Sequence, residues 1–352
     1  MTRNNVLLVG ILAAVGAALT AIKLVQRHPG PSHLEPIVLY EPLPHPYCTA
    51  VGEGGTAFSH DSGLGVRVVV GQESTQANVN TNIESMFTVG YRAFSIYPVD
   101  PAGTKGLFAR LRRAGCLVVA YGAQPEKGTD TPFAVATDTR QAATLAAEKL
   151  VALMHYHGRI LNVLESLTDA NTPIRRAAIE AVVARYPGVK ITQTVGDVTT
   201  EQEAREKVES ALVARGDDVD GVICTGYTTT VAAAVLISQH NRQPGAKRIH
   251  FVGLDTDDRV LAAIRDGSID MTLAQNPHGH GYISCALLAL MLEGWKPRAP
   301  YQFIDSGCVP VTGANLDTFQ SDIDRMTRSI VAELKTKYLL PPGDGTAAPV
   351  TR

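Results

Sequence analysis

The sequence predicts an α/β protein made of two doubly wound, parallel-sheet lobes of Rossmann-like design. Three observations carry that expectation. Short β-branched runs alternate with helical patterns, the rhythm of parallel strands covered by helices. The rhythm runs through one set of strand–helix units and then restarts for a second set. At 352 residues the chain is long enough for two domains of ordinary size.

The first set opens at Ile37–Tyr40 and continues with Val66–Val70, Ala93–Ile96, Leu117–Ala120 and Phe133–Ala136. Amphipathic stretches such as Asn78–Thr88 and Lys105–Ala114 lie between them. The second set begins with a helix over Thr139–His155, whose spacing puts Ala142, Leu145, Ala146, Leu150 and Leu153 on one face. Strand Ile160–Leu164 leads to a helix over Pro173–Tyr186, with proline in the first turn where its missing N–H costs little. Strand Lys190–Thr194 precedes a helix opened by Thr200-Glu201-Gln202-Glu203, a capping-box pattern. Strand Gly221–Cys224, helix Thr228–Gln239, strand His250–Gly253, helix Asp257–Arg265 and strand Met271–Ala274 complete the series. After Thr327 a short helix gives way to Pro341-Pro342-Gly343-Asp344-Gly345, and residues 336–352 are expected to form a loose tail.

Composition fits a folded globular chain, with 45% apolar and 19% charged residues. A net charge of −2 without a long basic run speaks against counterion-driven nucleic-acid binding. Cys116, Cys224 and Cys285 sit inside apolar runs and read as small core residues. A disulfide among the five cysteines stays open, because they are scattered without Cys-x-x-Cys spacing. Val6 to Ile22 carries no charge and is flanked by Arg3, Lys23 and Arg27. Residues 1–28 are therefore expected to be a secretory signal peptide or an N-terminal membrane anchor, followed by a Pro-rich linker at 29–36. Basic residues on both sides leave the orientation of that segment open.

In open α/β sheets, ligands sit beyond the carboxyl ends of the strands. The residues placed there are Glu41–Tyr47, Tyr121–Gly122, Thr168–Arg175, Thr225–Tyr227, Asp255 and Gln275. They offer hydroxyls, ring faces and forked polar groups, and none forms a recognisable catalytic set.

Several of these residues belong to motifs that occur in a telling order. The opening strand runs into Leu43-Pro44-His45-Pro46-Tyr47, and Thr137-Asp138 precedes an alanine-rich helix. Arg175-Arg176-Ala177-Ala178-Ile179, Val252-Gly253-Leu254-Asp255 and Met271-Thr272-Leu273-Ala274-Gln275-Asn276-Pro277 follow. From about Ile37 to Leu316 the chain resembles the type I periplasmic sugar-binding proteins, the ribose- and galactose-binding class of solute-binding components of ABC transporters. The resemblance puts Tyr47 among the aromatics that stack on a sugar, Arg175 at the binding arginine, Asp255 at the ligand carboxylate and Gln275 at the ligand amide. It also implies a three-strand hinge near Thr137-Asp138, Gln275-Asn276 and Asp305-Ser306. The N-terminal lobe would then comprise 37–137 plus 276–305, and the C-terminal lobe 138–275 plus 306–335. The chain departs from the family at Tyr121-Gly122, where Asp-Arg is frequent, and at Gly226-Tyr227, where Asn-Asp is frequent. His45 replaces an asparagine, and Glu41 stands where a small polar residue is usual. The scaffold carries over; a ribose-like or glucose-like hydrogen-bond set does not.

Physically, a sugar presents hydroxyls that donate and accept, plus an apolar C–H face. A carboxylate accepts from paired hydroxyls and a guanidinium donates through a planar fork. Asp255 is accordingly read as a ligand carboxylate, with a helix N-cap as its alternative. Arg175 is read as a ligand contact, with a solvated helix-face charge as its alternative and Arg176 competing for the assignment. Two of Tyr47, Tyr121 and Tyr227 are expected in the cleft, with the remaining one capping a core. Gln275 bridges hydroxyls or serves hinge backbone. The full candidate set is Glu41, His45, Tyr47, Tyr121, Arg175, Thr225, Tyr227, Asp255 and Gln275. Cys48 reads as a buried small residue rather than a reactive thiol. His155-Tyr156-His157 and His278-Gly279-His280 lack further ligands at metal spacing, so neither a metal nor a cofactor is expected.

The favoured function is a binding protein at the periplasm or the outer face of a bacterial membrane. It would close on a monosaccharide or related polyol and deliver it to an ABC permease, acting as a monomer. A module feeding a membrane sensor kinase or chemoreceptor is the alternative, with a nucleoside or autoinducer as other ligand classes. A DNA-bound repressor is disfavoured because an apolar segment, not a helix-turn-helix, leads into the first strand. Without Gly-x-Ser-x-Gly, a phosphate loop or His-Glu-x-x-His, an enzyme is not expected.

Overall fold

The computed structural model describes residues 36–343 except 216 and 217. The expected signal or anchor at 1–28, the linker up to 35 and the tail beyond 343 lie outside the described residues. Among the described residues no helix is long and apolar enough to cross a membrane.

Two six-stranded sheets organise the chain. The first contains β1 (Ile37–Glu41), β2 (Val66–Val70), β3 (Ala93–Ile96), β4 (Leu117–Tyr121), β5 (Phe133–Ala136) and β12 (Gln302–Asp305), in the order β2-β1-β3-β4-β5-β12. All its pairings are parallel. The second contains β6 (Gly158–Val163), β7 (Val189–Val195), β8 (Gly221–Cys224), β9 (His250–Leu254), β10 (Met271–Gln275) and β13 (Cys308–Val311), in the order β7-β6-β8-β9-β10-β13. Only β13 runs antiparallel. Each sheet reverses its winding once, between β1 and β3 and between β6 and β8. That reversal leaves a crevice at the carboxyl ends, because the connecting helices diverge to opposite faces there.

The strands are apolar almost throughout, as sheets covered on both faces require. In the first lobe Leu39, Val119 and Val135 pack with α1 (Pro46–Ser62) and α9 (Pro277–Leu292). The opposite face carries α2 (Gln76–Thr88) and α3 (Pro101–Arg113), which bury Val79, Ile83, Leu107 and Phe108. In the second lobe α4 (Thr139–Leu153) and α5 (Thr172–Val183) cover one face around Ala146, Leu150 and Ile179. There α6 (Glu201–Arg215), α7 (Tyr227–Asn241) and α8 (Asp258–Arg265) cover the other, around Val208, Ile237 and Ile264. Where α1 meets α9, a Cβ on Gly281 would fall on the backbone of Val51, so the two helices touch closely through glycine.

The chain crosses between sheets three times: from β5 into α4 at 137–138, from β10 into α9 at Asn276, and from β12 to β13 at 306–307. Side chains tie these crossings together. Asn276 donates to the Ser306 carbonyl (3.0 Å) and Thr137 to the Gly307 carbonyl (3.1 Å), while the Asp138 amide donates to the Asp305 carboxylate (3.0 Å).

The C-terminal part differs from the sequence expectation. Helix α10 (Phe319–Glu333) does not belong to one lobe: Phe319 and Ile323 enter the second core, whereas Ile330 and Val331 pack on the first. Its apolar residues recur along its whole length, and at about 1.5 Å per residue it is long enough to reach both cores. Residues 336–340 are not loose. A π-helical turn at Leu334–Tyr338 leads to β14 (Leu339–Leu340), which pairs with β11 (Lys296–Pro297) and fully buries Leu339. The first-lobe core captures Leu334 and Leu339, an attachment that the Pro-Pro-Gly composition after them conceals.

Candidate functional site

A cavity of about 370 Å³ lies between the lobes, at the carboxyl ends of both sheets. From β1 come His45 and Tyr47, from β3 Tyr97, and from β4 Gly122. The facing wall is built by Glu165, Asp169 and Asn171 after β6, Arg175 in α5, Tyr227 and Thr228 after β8, Asp255 after β9, and Gln275 ending β10. The residues that follow β1, β3, β6 and β8 flank the two winding reversals.

The loop after β1 turns into α1 with His45 as N-cap and Pro46 at the first helical position; His45 Nδ1 accepts from the Tyr47 amide (3.2 Å). Burial holds the His45 imidazole below its ordinary pKa, and therefore neutral. Tyr47 aims its hydroxyl at His280 Nδ1 (2.8 Å), while His280 Nε2 lies 2.7 Å from the Ser306 hydroxyl in the β12–β13 crossing. His280 is wholly buried, which lowers its pKa to about 3. Burial and the nearby Asp255 charge keep the Tyr47 phenol well above its usual value. Gly122 adopts φ 75°, and a Cβ there would come within 2.7 Å of the Tyr97 ring. Glycine after β4 thus makes room for an aromatic cavity wall.

On the second lobe, Asp255 occupies left-handed backbone at φ 72°, a conformation in which Asp is more frequent than most residues. Its Oδ1 accepts from Gln275 Nε2 (2.7 Å), and among the described residues Oδ2 has no hydrogen-bond partner. Helix α8 is capped by Asp257, which accepts from the Arg259 amide, so Asp255 is not that helix's N-cap. Burial raises the Asp255 pKa to about 6, against the opposing pull of Gln275 and Arg175. Glu165 accepts from the Thr228 amide through Oε1 (2.7 Å). Burial, Asp255 and Asp169 push its carboxyl up to about 7, although Arg175 draws it down. Gly226 is small by necessity, because a Cβ there would collide with the Glu165 carboxyl group.

Arg175 is 8% exposed and forms no side-chain hydrogen bond or ion pair with any described residue. Its N–H donors stay accessible at the surface of the cavity it lines, open to whatever enters there. Its neighbour Arg176 instead pairs with Glu180 on the exposed face of α5, at 2.8 Å.

The rims of the lobes already touch. The His45 and Tyr227 rings meet edge to face at 5.2 Å. Tyr97 donates to Asp169, and Asn171 to the Gly122 carbonyl, both at 3.4 Å. The two hydrogen bonds are long, so they hold the rims together weakly.

The structure thus brings His45, Tyr47, Arg175, Tyr227, Asp255 and Gln275 to the cavity and leaves Glu41, Tyr121 and Thr225 out of it. Glu41 lies beneath α1, in contact with the Gly52 position, and burial together with Glu53 pushes its pKa to about 7. As the last residue of β1 it points into the lobe, not past the strand end. Tyr121 is fully buried, donates to the Tyr40 carbonyl (2.7 Å) and packs edge-on against Tyr97 at 5.8 Å. It belongs to β4 itself, so it supports a wall residue without being one. Thr225 is buried behind that wall, in a small recess beside Ala142 and Cys224.

Sequence reasoning misses Glu165, Tyr97 and Thr228, while Asp169 and Asn171 lie within the strand-end span Thr168–Arg175 without being among the candidate residues. Glu165 and Tyr97 follow β6 and β3 at the winding reversals, the places where the strand-end rule locates a ligand. Cys48 is buried, and its thiol is pushed up to about 12 by burial and by Glu41, which keeps it protonated. All five cysteines are free. Among the described residues no group of three His, Cys, Asp or Glu side chains is arranged to hold a metal.

With this geometry in hand, the chain can be set beside known proteins. It is 23% identical over 253 residues to a putative rhizopine-binding protein of Rhizobium meliloti, covering 69% of this chain and 79% of that one. An ABC transporter solute-binding protein from Burkholderia graminis, solved in complex with D-arabinose, superposes with a TM-score of 0.73 at 19% identity, covering 80% of this chain and 96% of that one. One from Bacillus halodurans with bound myo-inositol gives 0.72 at 15% identity, covering 81% and 96%. At those identities the likeness shows the shared fold. The sequence profile of the periplasmic binding protein domain matches residues 37–296, most of both lobes, and the chain belongs to that family.

Proposed function

We propose that this protein captures a small polyhydroxy molecule, a monosaccharide or related polyol, in the cavity between its lobes, and that closure presents it to an ABC-type importer. One observation carries the reading. Arg175, whose guanidinium has no partner among the described residues, lines a cavity of about 370 Å³ together with Asp255 and Glu165, each of which keeps one carboxylate oxygen unpaired among the described residues. A polyol supplies both missing halves at once, acceptors for the guanidinium and donors for the carboxylates. Tyr47, Tyr97 and Tyr227 offer ring faces to its C–H surface. The volume lies near the lower end of the about 300–1,000 Å³ typical of small-molecule pockets.

Closure follows from the same contacts. The hydrogen bonds between the rims are long, so an occupant that bridges Tyr47 on one lobe and Arg175 on the other shifts the hinge equilibrium. The ligands of the two structural neighbours, a pentose and a cyclic polyol, support the ligand class. The uncharged run Val6–Ile22 supports a place outside the cytoplasm, as an exported or tethered protein.

The test is a thermal-shift screen of the protein against monosaccharides, polyols and nucleosides. A true ligand raises the melting temperature with dose, as linkage requires. Asp255→Ala should abolish that shift while leaving unliganded melting nearly intact. A response to nucleosides alone, or to nothing, would defeat the carbohydrate reading.

A further inference from the structure

Tyr227 lines the cavity at the start of α7, and its hydroxyl bonds to a residue outside that lining. It donates to Asp257 Oδ2 at 2.7 Å. Asp257 is in turn gripped by Arg259, through Nε to Oδ1 (2.9 Å) and through Nη2 to Oδ2 (3.3 Å). The far edge of the same guanidinium takes both carboxylate oxygens of Glu201, the first residue of α6, at 2.6 and 3.1 Å. Three helices of the second lobe, α6, α7 and α8, are thus linked to one aromatic ring through a row of polar side chains. On its other side the ring meets His45 of the first lobe, edge to face at 5.2 Å. Gly226-Tyr227 is also where the chain departs from the Asn-Asp frequent in its family, so the ring belongs to this chain and not to the family pattern.

The anchor is itself fixed. Asp257 caps α8, accepting from the Arg259 amide through Oδ1 (2.9 Å), so backbone and guanidinium both hold its carboxylate. Burial works against ionisation of Asp257, but the donors Arg259 and Tyr227 outweigh it and keep the carboxyl below its ordinary range. Burial first, and then Asp257, raise the Tyr227 phenol to about 12, so the hydroxyl keeps the proton it donates. A hydrogen bond to an ionised acceptor is stronger than a neutral one. An unanchored side chain at a cleft rim samples several rotamers, and closure on a ligand must then order it, which weakens binding. Anchored beforehand, the Tyr227 ring is a fixed stop that His45 meets as the lobes close.

We infer that Asp257 is a positioning residue for ligand capture: it holds the Tyr227 ring in place on the second lobe, so that closure against His45 traps the occupant and slows its release. The inference rests on the carbohydrate reading above and adds to it a residue outside the cavity that sets the lifetime of the complex.

Stopped-flow measurement of association and release tests this, with D-arabinose, D-glucose, D-galactose and myo-inositol as probes. The proteins compared are the wild type, Asp257→Ser, Tyr227→Phe and the double variant. Serine keeps an oxygen for the Arg259 amide at the helix cap but is too short to reach the Tyr227 hydroxyl. Phenylalanine keeps the ring and gives up its anchor. For a probe that the wild type binds, either substitution should speed release about three- to ten-fold, the effect of leaving one side chain to be ordered on binding, with association little changed. The double variant should release no faster than the single ones, because both break the same bond, whereas independent structural damage would multiply. If Asp257→Ser does not fold, the release rate of Tyr227→Phe decides. Release at the wild-type rate in the folded variants, a loss confined to association, or losses that multiply in the double variant would overturn the inference and leave the carbohydrate reading standing. Failure of the wild type to bind any of the four probes would overturn both.

Discussion

The hydroxyl of Tyr47, in the cleft, lies 2.8 Å from Nδ1 of His280, whose other ring nitrogen lies 2.7 Å from Ser306 in the crossing between the lobes. A neutral imidazole has one donor and one acceptor nitrogen, so it can serve both hydroxyls at once. Burial, which lowers the His280 pKa to about 3, keeps the ring neutral over the whole physiological range. Tyr47 is thereby fastened to the hinge.

Removing that fastening should cost both stability and affinity. His280→Ala leaves a void and strands the Tyr47 and Ser306 hydroxyls, for a loss of about 2–4 kcal/mol in chemical denaturation. Ligand affinity should fall as well, because Tyr47 is no longer oriented. A variant that unfolds at the wild-type midpoint and binds normally would show that the contact does neither.

Arg175→Met separates binding from stability. The substitution removes a largely buried side chain whose charge pairs with no described residue, so the unliganded protein should change by less than about 1 kcal/mol in urea denaturation. Ligand affinity should drop by about 2–3 kcal/mol, roughly 30- to 150-fold, with the loss of a charge-assisted fork. Arg175→Lys should not restore it, since an ammonium cannot reproduce the planar geometry. The measurement is a pair of binding isotherms beside a pair of denaturation curves.

Unliganded stability should decline as pH rises from about 5 to about 8. Glu165 and Glu41 are raised to about 7, and Asp255 to about 6, all by burial first. For these three carboxyls the folded state holds more protons than the unfolded chain, a negative slope of unfolding free energy with pH that outweighs the opposite slope of the buried, neutral His45 and His280. The contribution is fully present below the unfolded pKa and is lost as pH climbs through the folded value. For Glu165 alone it amounts to about 1–3 kcal/mol, at about 1.4 kcal/mol per pH unit. Melting curves across the range should flatten in Glu165→Gln, and a wild-type protein that is more stable at the alkaline end would contradict this assignment.

Tyr121→Phe should lower stability by about 1 kcal/mol through loss of its bond to the Tyr40 carbonyl. Its effect on ligand affinity should be slight, because the hydroxyl never reaches the cavity. A ten-fold loss of affinity would place Tyr121 back among the binding residues.

The strand periodicity survived folding nearly unchanged, since β1 to β10 lie within a few residues of their expected spans. Parallel strands buried on both faces are apolar runs between turn signals, and such runs are local. The site was legible to a lesser degree. His45, Tyr47, Arg175, Tyr227, Asp255 and Gln275 lay beyond or at strand ends and reached the cavity. Glu41 and Tyr121 did not, because at their strand ends the pleat turns them into the lobe, whereas Gln275, equally the last residue of its strand, is turned to the cavity. A shift of one residue at a strand end decides whether a side chain enters the core or the cleft, and sequence patterns do not locate strand ends that finely.

What the sequence determined by itself was the chain's repeating architecture and the segments that carry its chemistry, because hydrophobic period and turn residues act over a few neighbours. Only the tertiary structure decided that Arg175 would line the cavity without a partner among the described residues, that Glu165 would join Asp255 and Asp169 on one wall, and that His280 would tie Tyr47 to the hinge. Those relationships join residues up to 233 positions apart. Their energies depend on which groups are removed from water together, a property of the folded surface and not of any stretch of chain.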